Sequence, residues 1–288
     1  MALDTARFLT QVKMKAALPT GRFTDSEILE IAYDVLLTDV QPMIINIREE
    51  YYVKKTNVTV SDGYNTYPIN TRALGLTLRE LKYIDSASQI NNLVRLAPED
   101  INDSQSGKPY AFYLEGVNVI LYPTPNESGT LVQSYFQRVS KPVETSSCAA
   151  ITAIDTATGI VTATPPSTWT TSNSFDLISR NNGNDTLAKD LTATAVGGSS
   201  ITFTASNLPS SLAVGDYVAL AGESPYIQVP DELISYVTLL TCVDLFESLG
   251  DQTAVQMAMA KAEKLKEGLA RTLIQRVQGE SIRMKPMI

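Results

Sequence analysis

Adjacent carboxylates are the residues of this chain most directly suited to acid–base chemistry. They occur at Glu49-Glu50, Glu99-Asp100 and Asp231-Glu232. Side chains adjacent in sequence point in different directions on a helix or strand, so such pairs are poorly placed to act on one bond. Asp231-Glu232 also follows Pro230, where acids stabilise the positive end of a helix dipole. The pairs favour capping, and a carboxylate-dependent hydrolase, for example one acting on cell-wall glycan, is a rival interpretation.

The composition removes most other catalytic and metal chemistry. The 288 residues include no histidine, which excludes Ser-His-Asp and Cys-His catalysis and histidine-containing zinc sites. Cys148 and Cys242 are too few for an all-cysteine zinc site, and in a reducing cytosol we expect two free thiols. We predict a protein that is not an enzyme, with no catalytic residue, no cofactor and no metal site.

Two weaker candidates for binding lie in the middle of the chain. Asp185 and Asp190 stand among asparagines, but their spacing does not match a calcium-binding EF-hand loop, and a polar turn explains them. Trp169, the single tryptophan, lies in a Ser/Thr-rich loop. It could stack on a sugar, as in a host-recognition or carbohydrate-binding protein, but we favour a covering role at the end of a β-rich segment.

The charge is divided unevenly along the chain. Residues 1–250 carry 16 basic and 27 acidic side chains, a net charge of −11, whereas residues 251–288 carry 7 and 4, a net charge of +3. An acidic body repels the phosphate backbone of DNA, so a dedicated DNA-binding surface is not expected there. The basic end could dock on an acidic partner, although an ordinary solvated helix face explains Lys261, Lys264 and Lys266. No apolar run reaches the length of a membrane span, and no secretion signal is recognised, so we expect folding in a cytoplasm.

Helices are predicted near both ends of the chain. Residues 24–50 read as a helix with Thr24 and Glu27 in the spacing of a capping box, kinked or divided at Pro42. A shorter helix is expected within residues 4–17. After Pro230 a helix apolar on all sides should end at Gly250, and Asp251 should cap the next one. The apolar stripe predicted for that last helix is Ala254, Ala258, Ala262, Leu265, Leu269 and Leu273.

Strands are predicted between these helices, and they fall into two groups. β-branched and aromatic runs occur at residues 51–60, 67–69, 78–85, 112–122 and 131–138. Residues 144–225 are instead rich in Thr, Ser, Ala and Gly and contain a weak internal repeat of about 40 residues. The aligned segments are 151–153 with 191–193, 160–163 with 201–204, and 175–178 with 217–220. Two copies of three strands predict a small β-barrel or sandwich.

These patterns predict an α+β fold. The amphipathic helix of residues 24–50 must bury its stripe, and the helices after Pro230 offer the large complementary surface. We therefore expect residues 1–143 and 226–275 to form a helical bundle with associated strands. Residues 144–225 would be an inserted β-domain, and residues 276–288 a separate C-terminal arm.

Several blocks resemble the adaptor, or head-to-tail connector, proteins of tailed bacteriophages. They are FTDSEI at 23–28, REEYY at 48–52, YLEG at 113–116 with VILYPTP at 119–125, LAVGDYV at 212–218 with AGESP at 221–225 and VPDEL at 229–233, and ESLGD at 247–251. Each block alone consists of turns and caps. Their order along most of the chain carries the resemblance.

The resemblance implies a structural virion protein at the head–tail junction, assembled in the host cytoplasm. In that family helical bundles pack side by side into a ring, commonly of twelve copies, beneath the portal protein and above a tail or nozzle protein. DNA passes through the lumen without sequence-specific binding. The C-terminal segment grips the portal, which implies docking residues here at Arg276, Arg283, Met284, Lys285, Pro286, Met287 and Ile288. No function is implied for residues 144–225.

Overall fold

The computed structural model describes residues 3–19, 21–97, 105–181 and 186–273, in two compact units. Unit 1 comprises residues 1–48 and 139–288, and unit 2 comprises residues 49–138. The α-helices are α1 (Thr5–Ala16), α2 (Asp25–Val35), α3 (Gln41–Ile47), α4 (Ile234–Leu249) and α5 (Gln252–Leu273).

Strands occur in both units. The strands of unit 2 are β1 (Val53–Val60), β2 (Thr66–Pro68), β3 (Ala73–Ile84), β4 (Ile90–Asn92), β5 (Val94–Arg95), β6 (Ser106–Gly107), β7 (Ala111–Glu115), β8 (Asn118–Tyr122), β9 (Thr124–Pro125) and β10 (Gly129–Gln137). Those of unit 1 are β11 (Lys141–Pro142), β12 (Ala149–Asp155), β13 (Ile160–Ala163), β14 (Ser174–Ile178), β15 (Thr186–Val196), β16 (Ser200–Phe203), β17 (Tyr217–Leu220) and β18 (Glu223–Ser224). The predicted mixed α+β class is confirmed.

The helical segment after residue 24 begins with the predicted cap and is divided near the predicted proline. The Thr24 hydroxyl accepts a hydrogen bond from the backbone N–H of Glu27, and the Glu27 carboxylate accepts one from the N–H of Thr24. A π-helical turn (Leu36–Val40) then separates α2 from α3, in which Pro42 occupies the first turn. Because proline has no N–H to donate, the chain reorganises its hydrogen bonds just before it.

α4 is the central helix of unit 1, since it contacts α1, α2 and α5. Its buried residues lie on several sides and include Tyr236, Thr241 and Leu245. Gly250 ends it with φ at +76°, a backbone conformation that glycine adopts without a Cβ penalty. The Asp251 carboxylate then accepts a hydrogen bond from the N–H of Ala254, 2.9 Å away, and so caps α5 as predicted.

The buried face of α5 differs from the predicted stripe. Val255, Ala258 and Ala262 are buried, and the first two pack with Val243 of α4. Leu265, which the stripe included, is 37% exposed. Ala258 and Ala262 belong to the predicted stripe and are confirmed as buried, whereas Val255 was not included in it. The difference arises because the neighbouring helix, and not the periodicity alone, selects which side is covered.

Residues 149–220 form a closed six-stranded β-barrel, which confirms the barrel alternative. The strand order is β12-β13-β16-β15-β14-β17. Exchanging β12, β13 and β14 with β15, β16 and β17 leaves this cyclic order unchanged. In the pairing of β14 with β17, Phe175 lies opposite Leu220 and Ile178 opposite Tyr217. Two tandem copies of a three-stranded unit would produce this order.

The barrel joins the helices through two short segments that pair with each other. β11 precedes the barrel, β18 follows it, and the two run parallel and hydrogen-bonded. The backbone N–H of Thr5 in α1 donates to the carbonyl of Pro225, and the ammonium of Lys141 forms an ion pair with Glu30 of α2. The barrel is therefore connected to the helices by a pair of strands that contact α1 and α2.

Unit 2 is built from two four-stranded sheets with the orders β1-β10-β3-β4 and β2-β8-β7-β5. Its core includes Tyr83, Leu121, Leu131 and Tyr135, all nearly inaccessible to solvent. The β-rich run at residues 112–122 is a hairpin, because β7 and β8 pair antiparallel across a turn at Gly116.

None of the helices in the described part of the chain combines the length and apolar character needed to cross a membrane. The divisions that we predict at residues 144, 226 and 276 stay predictions, and the arm at 276–288 lies outside the described residues.

Candidate functional site

The residues that the resemblance assigns to portal docking lie at the C-terminus, beyond the last described residue, 273. Portal docking therefore stays a prediction for these residues, which are Arg276, Arg283, Met284, Lys285, Pro286, Met287 and Ile288. The Glu99-Asp100 pair also lies outside the described residues.

The remaining adjacent acids do not converge on a reactive centre. Glu49 and Glu50 are exposed on a short 3₁₀ turn, and the carboxylate of Glu49 accepts from Arg79 at 2.7 Å. Asp231 and Glu232 are exposed on the turn that leads into α4. Within the described ranges, no group of three or more Cys, Asp and Glu side chains is placed to hold a metal ion.

Two buried carboxylates in the barrel act on the backbone. Asp216 accepts from the N–H groups of Arg180 and Ala213, at 2.7 and 2.8 Å. Asp176 accepts from the N–H groups of Asp190 and Gly222, at 2.9 and 3.0 Å. Asp216 thus joins the segments at Arg180 and Ala213, and Asp176 of β14 joins β15 to the turn between β17 and β18. These bonds give both acids a structural role.

Trp169 covers the barrel core. Its side chain is buried, its ring centroid lies 5.1 Å from that of Phe175, and it belongs to the same apolar cluster as the inward-facing strand residues. A sugar could not stack on this indole without displacing it from the core. The observation supports the covering role and removes the residue on which the carbohydrate-binding alternative rested.

Both cysteines are buried free thiols. Burial, together with the smaller effect of the Glu223 carboxylate, raises the pKa of Cys148 to about 12. Burial also raises the pKa of Cys242 to about 11, against a lowering influence from the nearby Lys15 ammonium. Since the thiolate is the reactive form, neither residue is suited to nucleophilic chemistry near neutral pH.

We expect both thiols to resist iodoacetamide at pH 8 in the folded protein. At that pH the thiolate fraction is about one in a thousand or less for a pKa of about 11 or higher, and burial also hinders access. Intact-mass measurement should show no rapid alkylation, and denaturation in urea should release two reactive groups. Rapid modification of the native chain at either cysteine would contradict the assignment.

A groove of about 440 Å³ lies among α1, α4 and α5 of unit 1. Its floor is apolar and its rim is basic. Lys15 stands on α1 and Lys261 on α5, and both are exposed. Met257 is 58% exposed, an unusual position for so apolar a side chain. The other lining residues are Leu239, Cys242, Phe246, Ala254 and Ala258.

A group of carboxylates lies on α2, the π-helical turn, α4 and α5 of unit 1. Burial raises the pKa of Asp244 on α4, and the carboxylates of Glu247, Asp39 and Asp34 raise it further. Burial likewise raises the pKa of Tyr236, with further increases from Asp39 and Glu263. The acids that raise the pKa of Asp244 therefore lie near it and make the surface around it negative.

Comparison with known protein families decides what kind of protein carries these surfaces. The model of the SU10 adaptor protein family matches residues 9–286, which is nearly the whole chain. The chain belongs to the SU10 adaptor protein family. No curated protein matches the chain.

Membership of the SU10 adaptor family supports a structural adaptor role in a bacteriophage and implies a component of the virion. It agrees at this level with the resemblance drawn from the sequence blocks. The match covers both the helices and the barrel, so the adaptor role concerns the chain as a whole and not one segment of it.

Sequence reasoning about this SU10 adaptor family member missed the basic-rimmed groove. Lys261 was interpreted as part of a solvated helix face, and Lys15 lies more than two hundred residues away from it along the chain. The signal that could have pointed to the surface is Met257 and Met259 beside a run of alanines, since methionine is frequent at binding surfaces.

Proposed function

We propose that this protein forms a ring beneath the portal of a tailed bacteriophage, joins the head to the tail, and lets DNA pass through its lumen. The observation that carries the proposal is the family match over residues 9–286. The proposal places about twelve copies in the ring, portal protein above and a tail or nozzle protein below. It places the ring at the head–tail junction, after assembly in the host cytoplasm.

The proposal uses the helices of both chain ends as the ring-building body. In unit 1, α4 contacts α1, α2 and α5, α1 also contacts α2, and α4 carries the acidic residue Asp244. A ring whose body is acidic suits a DNA conduit, because phosphates repelled by the wall slide past without sequence-specific binding. The body needs no reaction centre for this role, and we propose that the protein is not an enzyme.

Native mass spectrometry and negative-stain electron microscopy, with and without portal protein, test the proposal. We expect a ring of about a dozen copies that docks coaxially on the portal. A protein that stays monomeric and does not bind portal protein under any condition would contradict the proposal. Hydrolysis of glycan that is lost when a single acidic residue is replaced would also contradict it.

Deletion of Gln278 to Ile288 is expected to abolish portal binding with little change in the melting temperature. The segment contributes basic and apolar side chains for docking, whereas the described core of unit 1 ends before it. Binding of wild type and variant to immobilised portal, with melting followed by circular dichroism, measures both effects.

A matched control keeps the same eleven residues in scrambled order, and so keeps their charge and composition. If docking depends on the sequence of the arm, the scrambled protein should also fail to bind portal. Full affinity of the truncated protein would show that portal binding resides elsewhere in the chain.

A further inference from the structure

Two sides of α5 each carry an exposed methionine beside a charged residue. Met257 and Lys261 are four residues apart and therefore lie on one flank of the helix. Met259 and Glu263 are also four apart, and a shift of two residues turns them by about 200° to the opposite flank. Met257 and Met259 are 58% and 54% exposed. The first flank thus combines an apolar side chain with a positive charge. The second combines one with the carboxylate of Glu263, which also forms an exposed ion pair with Lys266 at 3.7 Å, so the negative charge on this side comes mainly from the acids around Asp244.

The same division holds on α4. Cys242 and Phe246 face the groove, whereas Asp244 is turned by about 200° from each of them. The carboxylate of Asp39 raises the pKa of both Asp244 and Tyr236. The π-helical turn before α3, which carries Asp39, therefore lies on the side of α4 that faces away from the groove. We define the basic flank as Lys15, Met257 and Lys261, and the acidic flank as Asp39, Asp244, Met259 and Glu263.

These flanks fit a repeated contact between identical chains. If either flank met its own equivalent across a twofold axis, like charges would face each other at a cost in affinity. If the basic flank of one copy met the acidic flank of the next, opposite charges would surround a methionine-rich apolar centre. A contact between two different faces of a subunit repeats around a ring, because a copy that has used one flank still has the other free for the next copy.

We infer that the groove among α1, α4 and α5, with its basic flank, receives the acidic flank of a second copy of this chain. This inference rests on the proposed ring and identifies the surfaces that would build it. The apolar groove supplies the buried area, and the charges select the orientation and the neighbour.

The chain's own C-terminal segment is a poorer occupant of the groove. Residues 274–288 carry Arg276, Arg283 and Lys285 against a single acid, Glu280. Placing that segment between Lys15 and Lys261 would bring like charges together. A neighbouring acidic flank has the complementary charge.

Two charge-reversed full-length proteins test the inference. One carries Lys15→Glu and Lys261→Glu in the basic flank, and the other carries Asp39→Lys and Glu263→Lys in the acidic flank. All four side chains are exposed, so the folds should survive, as circular dichroism and melting can verify. Each protein alone would face like charges at every contact, and we expect its ring fraction to fall at least about tenfold in native mass spectra at low salt.

Mixing the two variants in equal amounts should restore the rings. In an alternating ring, the new acids of one protein meet the new lysines of the other, and the unchanged flanks meet at every second contact. We expect rings that contain equal numbers of the two proteins, distinguishable when one is isotopically labelled. A twofold contact, or a general effect of charge on solubility, would not be rescued in this way.

A control with Arg7→Glu and Arg22→Glu makes the same change in net charge as the reversed basic flank, at exposed positions outside both flanks, and its ring fraction should match that of wild type. Where portal protein is needed to nucleate rings, the same comparison is made on portal-bound particles. Rings formed by either reversed variant alone, or no rescue on mixing, would overturn the inference and leave the proposed function intact. Failure of wild type to form rings with or without portal would instead count against the proposed function.

Discussion

Replacing Phe175 with alanine is expected to lower the free energy of unfolding of the barrel by about 3–5 kcal/mol. Phe175 is fully buried, and its ring lies between those of Trp169 and Phe203, at centroid distances of 5.1 and 6.0 Å. Truncation removes the apolar area and both ring contacts, and it leaves a cavity that the closed sheet cannot collapse to fill.

The single tryptophan provides the measurement. Trp169 lies in the barrel core, so its fluorescence in a urea titration reports the unfolding of this part of the chain. The urea concentration at the unfolding midpoint is compared between wild type and variant. The fluorescence intensity itself is not compared, because loss of a ring next to Trp169 also changes the intensity of the folded state. Ile160→Ala, on the same barrel but at a 37% exposed position, is the control and should cost far less. A midpoint for Phe175→Ala equal to that of the control would contradict the described core.

Replacing Gly159 with alanine should destabilise the barrel by about 2–5 kcal/mol, from left-handed backbone strain and overpacking together. Gly159 has φ at +76°, and a Cβ built there would overlap the carbonyl oxygen of Phe203. The adjacent strands cannot separate to relieve this contact without breaking the hydrogen bond from the N–H of Phe203 to the carbonyl of Gly159, which measures 2.9 Å.

Gly198→Ala is the matched control for this substitution. Gly198 lies in the turn between β15 and β16, and a Cβ there would meet no atom within 4 Å. The change should be neutral or slightly stabilising, because alanine restricts the unfolded chain. Equal urea midpoints for the two variants, followed by Trp169 fluorescence, would show that the hairpin at Gly159 can relax.

Local chemistry made several elements predictable. The capping box at Thr24 and Glu27, the end of α4 at Gly250 and the cap of α5 at Asp251 each depend on hydrogen bonds or dihedral angles within a few residues. Such interactions are nearly independent of the rest of the fold, so sequence spacing is sufficient to place them. The lack of histidine also excludes every catalytic or metal site that needs an imidazole side chain.

The barrel was predictable for a different reason. Strand-forming runs separated by turn residues at regular spacing restrict a short segment to a small set of closed arrangements. The choice between barrel and sandwich needed the structure, because it depends on the pairing of β12 with β17, strands far apart in sequence that close the sheet. The hairpin of β7 and β8 was likewise settled by pairing across Gly116, which an unbroken β-rich run concealed.

By itself, the sequence determined the helix caps, the β-rich segment and the family to which the chain belongs. Only the tertiary structure decided which side of α5 is buried and which residues meet at its two flanks. Lys15 and Lys261 line the same groove, and Asp39 lies near enough to Asp244 to raise its pKa, because helices from opposite ends of the chain pack together. The pattern of one helix shows its amphipathic faces, but the neighbours that cover each face, and the charges gathered around what stays open, follow from the fold.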